Sequence, residues 1–160
     1  MNQTLAAEIL VLARARKLRI AVAESCTGGM VAAALTDVPG ASDVFECGFV
    51  TYSNAAKMRL LGVTAQHLAS FGAVSEPVAR QMARGALAES DADIAVALTG
   101  IAGPGGSGSK PAGRVWFALA HSGREPHTLK REFGEIGRDN VRRASVEQAL
   151  QLLKTALGPT

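Results

Sequence analysis

Apolar and polar positions along the chain fall into two rhythms, one helical and one strand-like, that take turns from end to end. Over residues 4–17, Leu5, Ile9, Leu12 and, more weakly, Ala15 recur at helical spacing. Arg14, Arg16 and Lys17 close that stretch, where cations suit the negative end of a helix dipole. The apolar run 19–24 predicts a first strand. A helix starts after Gly28 and runs to Leu35, before Asp37, Val38, Pro39 and Gly40 break it. A partly alternating strand spans 44–52. Ser53 then reads as the N-cap of a short helix over 54–61 that Gly62 stops, and 64–70 adds another helical turn or two. Ser75, Glu76 and Pro77 open a helix reaching residue 89, with proline at an allowed early position. Residues 93–98 are apolar throughout, as in a central strand buried on both faces. A glycine-rich loop fills 99–111. Strands over 114–121 and 128–133 follow, joined by a turn at Ser122, Gly123 and Arg124. The last helix, 138–157, puts Val146, Ala149, Leu150, Leu153 and Leu157 on one face.

Strands alternating with helices predict an α/β fold, a three-layer α/β/α sandwich. The back-to-back strands at 114–121 and 128–133 require an antiparallel member, so the sheet is expected to be mixed and mostly parallel. At 160 residues, without repeats or a linker, the chain reads as one domain, 1–160. One Trp and one Tyr give no stacking platform for nucleic acid. The 17 basic and 14 acidic residues are interspersed, and their net +3 is too mild to argue for nucleic acid, which is disfavoured as a partner. An anionic small molecule is served equally well. Cys26 and Cys47 have neither metal nor disulfide spacing and read as buried free thiols of a reducing compartment. Residues 1–18 lack the apolar segment of a signal peptide, and no run approaches membrane-spanning length. A cytoplasmic protein without membrane association is expected.

The candidate chemistry starts at Glu24-Ser25-Cys26-Thr27-Gly28-Gly29, where a strand turns straight into a helix. Unpaired N–H groups at a helix start, and glycines that allow close approach, suit an anion or a developing oxyanion. Ser25 stands at the lip of that turn; alternatively Ser25 or Thr27 is only an N-cap, or Cys26 is the nucleophile. The loop carrying Gly100, Gly103, Gly105 and Gly106 follows a buried strand and so faces the crevice beyond the strand ends. Gly103, Gly105 and Gly108 match G-x-G-x-x-G by spacing, but a strand rather than a helix comes next, so the dinucleotide reading is rejected. Contact with a phosphate remains, against a plain surface hairpin. Lys57 falls early in the helix capped by Ser53, on the face of Leu60 and Leu61. Dipole and partial burial both favour its neutral amine, able to take the proton of a serine; otherwise it is a solvated lysine. Arg138 and Arg142, four apart near the core-facing edge of the last helix, suggest a phosphate or carboxylate partner, or ion pairs with Glu135 or Asp139. His67, His121 and His127 have no metal spacing.

Four motifs in register now carry a resemblance: Ala23 to Gly29; Val50, Thr51, Tyr52, Ser53 and Asn54 with Lys57; Gly72 to Ser75; and Leu98 to Gly106. Together they resemble the CinA C-terminal domain family, the nicotinamide-nucleotide amidohydrolases, over nearly the whole chain. The resemblance implies a deamidase domain that converts nicotinamide mononucleotide to nicotinate mononucleotide and ammonia in pyridine-nucleotide recycling. It implies Ser25 as nucleophile, Lys57 as its base, and Tyr52 and Thr99 as assisting residues. The family's arginine matches Arg138, but its glycine and aspartate are displaced here, leaving Arg138 and Arg142 both open. Cys26, Thr27, Gly28 and Gly29 are expected to meet the substrate at the nucleophile turn, and Gly100, Gly103, Gly105 and Gly106 with an arginine at its phosphate. No metal and no cofactor is expected. The expected assembly is a homo-oligomer, and the nucleotide-pyrophosphatase activity of some longer relatives is expected to be absent. The competing expectation is a non-catalytic nucleotide-binding or competence-related interaction module, favoured if Ser25 and Lys57 lie far apart.

Overall fold

The computed structural model describes residues 2–158; positions 1, 159 and 160 of the expected 1–160 domain lie outside the described residues. Its strands are β1 (Ile20–Glu24), β2 (Phe45–Val50), β3 (Ile94–Gly100), β4 (Arg114–His121) and β5 (His127–Glu132). Its helices are α1 (Asn2–Ala15), α2 (Met30–Thr36), α3 (Asn54–Leu61), α4 (Ala65–Phe71), α5 (Glu76–Ala88) and α6 (Arg138–Leu157), with a 3₁₀ turn at Ala41–Asp43. The strands form one sheet in the order β2-β1-β3-β4-β5. β1 is parallel to β2 and to β3, whereas β4 is antiparallel to both its neighbours. The sheet is therefore mixed, and four of its five strands share one direction. Among the described residues no helix is long and apolar enough to cross a membrane.

The two faces of the sheet differ in side-chain size because side chains alternate along a strand. Ile20, Val22, Ile94, Val96, Leu98, Val115 and Phe117 face one way and are covered by α1, α2 and α6. Ala21, Ala23, Ala95, Ala97, Ala118 and Ala120 face the other way. Ala21 pairs with Ala95 and Ala23 with Ala97, and these in turn pair with Ala120 and Ala118, so methyl groups line up across three strands. α5 lies on this low surface through Val78, Ala79, Met82, Ala83 and Ala86. α3 packs on α5 at Gly85, where an added Cβ would stand 2.0 Å from the Leu61 carbonyl oxygen. Only glycine admits that approach.

Several boundaries move for identifiable reasons. α1 ends at Ala15, before 17, because Lys17 adopts φ 56° and the Leu18 N–H turns back to Ala13. Its buried side is Leu5, Ala6, Ile9, Leu10 and Ala13, while Ala15 is exposed. α2 starts only at Met30, since Gly28 and Gly29 take φ 60° and 107° and belong to the turn. β3 continues through Thr99 and Gly100, which pair with Trp116 and Val115, so the glycine loop begins at Ile101. α3 has the expected limits: the Ser53 hydroxyl accepts the Ala56 N–H at 3.0 Å, and Gly62 at φ 68° ends it.

Candidate active site

The chain leaves β1 through α2 toward one face of the sheet and leaves β2 through α3 toward the other. Between the carboxyl ends of two neighbouring strands whose connections part in this way, a crevice opens. Ser25 enters it from β1 and Lys57 from α3. The Lys57 Nζ lies 3.0 Å from the Ser25 Oγ.

Lys57 is only 1% exposed, among the largest fully buried side chains of the described residues. The solvated-lysine reading is thereby corrected. Of its two expected apolar companions Leu61 is buried, while Leu60 is 39% exposed. Nζ also donates to the Thr51 carbonyl at 2.8 Å and to the Tyr52 carbonyl at 3.3 Å. Burial pulls the ammonium pKa from 10.5 down to about 8. As a neutral amine, Lys57 spends its two N–H groups on the two carbonyls and turns its lone pair to the Ser25 hydroxyl. That is the geometry of a general base on a nucleophile. Cys26, buried beside Ser25, has its thiol pushed up to about 11 by burial, which leaves no thiolate at neutral pH.

The open helix start expected at the nucleophile turn needs correcting. Glu24, fully buried at the end of β1, accepts the Thr27 hydroxyl at 2.6 Å and the Val31 and Ala32 N–H groups at 2.9 and 3.0 Å. A carboxylate of the chain itself thus occupies the first amides of α2. The Gly28 N–H bonds the Ser25 carbonyl, and the Ser25 N–H bonds the Leu98 carbonyl at 3.2 Å. Neither Ser25 nor Thr27 is an N-cap of α2, whose cap position is Gly29.

A cavity of about 360 Å³ opens over the dyad, in the range usual for small ligands (roughly 300–1,000 Å³). Ser25, Cys26, Tyr52, Lys57 and Thr99 line it, with Gly100, Gly103, Gly105, Gly106 and Arg138 around the rim of the glycine loop. Thr27, Gly28, Gly29 and Arg142 stand outside the lining, contrary to expectation. Arg142 instead donates to the Cys26 and Thr27 carbonyls at 3.0 and 3.3 Å, behind the turn. Arg138 spans the mouth, donating to the Gly103 carbonyl at 2.8 Å and to the Tyr52 hydroxyl at 2.9 Å. Of the two arginines left open by the sequence, Arg138 meets the cavity and Arg142 the backbone.

Residues given no role of their own from the sequence complete the walls. Asn54 lines the cavity beside Lys57. The loop before α5 is pinned by the Thr99 hydroxyl, which donates to the Ala73 carbonyl at 3.0 Å. Lys110 holds the same loop by the Phe71 and Val74 carbonyls, each at 2.6 Å. The one legible signal for Glu24 was a charge closing an otherwise apolar strand, since a carboxylate is buried only where it is hydrogen-bonded. Among the described residues no cluster of three or more His, Cys, Asp or Glu is placed to hold a metal ion.

Comparison with known proteins adds to this geometry. The profile of the CinA C-terminal domain matches residues 2–157. The nicotinamide-nucleotide amidohydrolase PncC of Escherichia coli (strain K12) is 53% identical over 141 residues, covering 88% of this chain and 85% of that protein. A CinA-like protein of Anaeromyxobacter dehalogenans (strain 2CP-1) is 55% identical over 152 residues, and there the match spans only 36% of the longer relative. The crystal structure of the competence/damage inducible protein CihA from Agrobacterium tumefaciens superposes with a TM-score of 0.94 at 46% identity, covering 99% of this chain and 96% of that one. A CinA superfamily protein from Escherichia coli gives 0.92 at 38% identity, covering 96% and 88%.

Proposed function

The chain belongs to the CinA C-terminal domain family, and from that premise we propose that it is an amidohydrolase converting nicotinamide mononucleotide to nicotinate mononucleotide and ammonia. The observation that carries the proposal is the 3.0 Å contact between the Lys57 amine and the Ser25 hydroxyl at the floor of the cavity. Neutral Lys57 takes the Ser25 proton as Oγ attacks the carboxamide carbon. The resulting Lys57 ammonium gives that proton to the leaving nitrogen, and ammonia departs from an acyl-Ser25 ester. Lys57, neutral again, draws a proton from water as it attacks the ester, and the proton returns to Ser25. Each step uses the same amine, now as base and now as acid.

Oxyanion stabilisation falls to backbone amides of the cavity wall, with Cys26, next after the nucleophile, the first choice; one such donor contributes about 3 kcal/mol in other acyl-transfer sites. The Tyr52 hydroxyl accepts from Arg138 and so keeps its own proton to donate toward the reacting amide. Thr99, whose proton goes to Ala73, keeps its oxygen lone pairs for a substrate N–H or a water. Arg138 is the phosphate ligand, because its remaining N–H groups border the glycine loop, whose backbone amides favour an anion.

A Ser25–Lys57 separation would have favoured the non-catalytic reading, and the 3.0 Å contact does not supply it. The deciding experiment measures ammonia and nicotinate mononucleotide from the purified protein and from Ser25→Ala. Product from the wild type and none from the variant is expected. Equal turnover by the two would overturn the serine mechanism, and no turnover by the wild type would overturn the activity.

A further inference from the structure

We propose that Glu24 and Arg142 are a pair of positioning residues that hold the Ser25 turn in attack geometry, one through its donors and the other through its carbonyls, an inference that rests on the amidohydrolase reading above. The turn offers hydrogen-bond donors to one of these residues and acceptors to the other. Glu24 takes the donors: the Thr27 hydroxyl at 2.6 Å, then the Val31 and Ala32 amides at 2.9 and 3.0 Å. No cation is among those three partners, so the carboxylate is satisfied by the turn itself and by the helix it opens. Arg142, reaching over from α6, takes the acceptors, the Cys26 and Thr27 carbonyls. Ser25 sits between these holds with its own N–H on Leu98 of β3.

Charged partners on both sides make these bonds stronger than neutral ones and stiffen what they grip. A trans peptide keeps its N–H opposite its C=O, so fixing the Cys26 carbonyl also fixes the direction of the Thr27 N–H. Neither clamp residue touches the cavity: Arg142 and Glu24 are both absent from its lining. Their action on substrate is thus indirect, through the place and aim of the Ser25 Oγ. Loss of aim lowers the rate of attack and leaves ground-state binding alone, because an ångström of misplacement at the nucleophile costs about a hundredfold.

The test compares wild type with Glu24→Gln, Thr27→Val and Arg142→Gln, each assayed well below its melting temperature. Two readouts are taken: kcat and KM with nicotinamide mononucleotide, and the rate at which a fluorophosphonate probe labels Ser25, followed by intact mass. The clamp predicts kcat at least about tenfold lower, KM within about twofold, and labelling slowed in parallel. Arg142→Lys, which keeps one donor, should recover part of the loss. Should Glu24→Gln fail to fold, Thr27→Val removes a single bond to the same carboxylate without changing side-chain shape. Variants with only a lower melting temperature, and with kcat and labelling at wild-type values, would overturn the proposal. A raised KM with unchanged kcat in Arg142→Gln would make Arg142 a substrate ligand and overturn its half of the clamp. A wild type that releases no ammonia refutes the amidohydrolase reading alone, because the labelling comparison still decides the clamp.

Discussion

At the scale of single residues, the dyad makes two predictions. Ser25→Ala should lower ammonia release by about 10³-fold or more while the protein stays folded, as expected when a nucleophile is removed from a unit that acts together. In the proposed mechanism Lys57 sets the pH dependence. Its pKa of about 8 means that the base is an ammonium below that pH and a free amine above it. kcat/KM should therefore fall about tenfold per pH unit on the acid side of pH 8. Lys57→Arg should be inactive at every pH, since a guanidinium never gives up its proton in this range. The same group leaves a mark on stability. Unfolded, the lysine titrates near 10.5, so between about 8 and 10.5 the unfolded chain holds more protons than the folded one. The cost of burying the ammonium is fully present below 8 and is lifted as pH rises toward 10.5. Urea midpoints at both ends of that window should rise with pH, and Lys57→Met should abolish the rise.

At the scale of elements, α3 carries the proposed base and is seated on α5 at Gly85. Gly85→Ala gains about 1 kcal/mol of helix propensity but forces a methyl against the Leu61 carbonyl, and overpacking of that kind costs about 1–3 kcal/mol. A net loss of thermal stability is expected, with a lower kcat because Lys57 moves with α3; calorimetry and the ammonia assay check both. α3 was also the most legible element. Ser53 and Gly62 are local signals that the structure keeps, and of the spacing around Lys57 it keeps Leu61 buried but leaves Leu60 exposed. The faces of β1 and β3 were not legible, because a strand buried on both sides shows no polar beat, and only pairing reveals that its alanines and its branched residues part company. Arg138 and Arg142 were hard to separate for a related reason. One helical turn apart, they share a face, and only the meeting of α6 with the glycine loop decides which guanidinium reaches the cavity. Glu24 looked like the end of a strand, since its partners at Val31 and Ala32 are brought near it by a turn no spacing rule describes.

At the scale of the whole molecule, the site draws on the ends of β1, β2 and β3 and the start of α6, so ligand binding ties together elements from nearly the whole length of the chain. Nicotinamide mononucleotide added to Ser25→Ala at a hundred times its Kd should stabilise the fold by about 2.7 kcal/mol. For a chain of this size that is about 5–10 °C in melting temperature. A flat melting curve would mean that the nucleotide does not bind. Arg138→Ala should remove most of that shift, and should cut kcat/KM for the nucleotide about a hundredfold while slow turnover of the riboside barely changes. Equal kcat/KM for nucleotide and riboside in the wild type would mean that no phosphate site operates.

The two carbonyls that receive the Lys57 amine have a consequence for how this enzyme will respond to genetic dissection. In a serine–histidine–aspartate triad the base is aimed by a side chain, and mutating that side chain exposes its role. In the mechanism proposed for this chain the aiming is done by the peptide groups of Thr51 and Tyr52. Every substitution at those two positions retains the carbonyl, so alanine scanning will report the Tyr52 hydroxyl but miss the carbonyls that hold the base. Only a change to the main chain itself, such as an ester or thioamide installed at residue 51 by semisynthesis, weakens the acceptor without touching a side chain. The orienting part of the proposed site lies in what all twenty amino acids share, and drift at codon 51 can change the side chain while the carbonyl that holds the base stays in place.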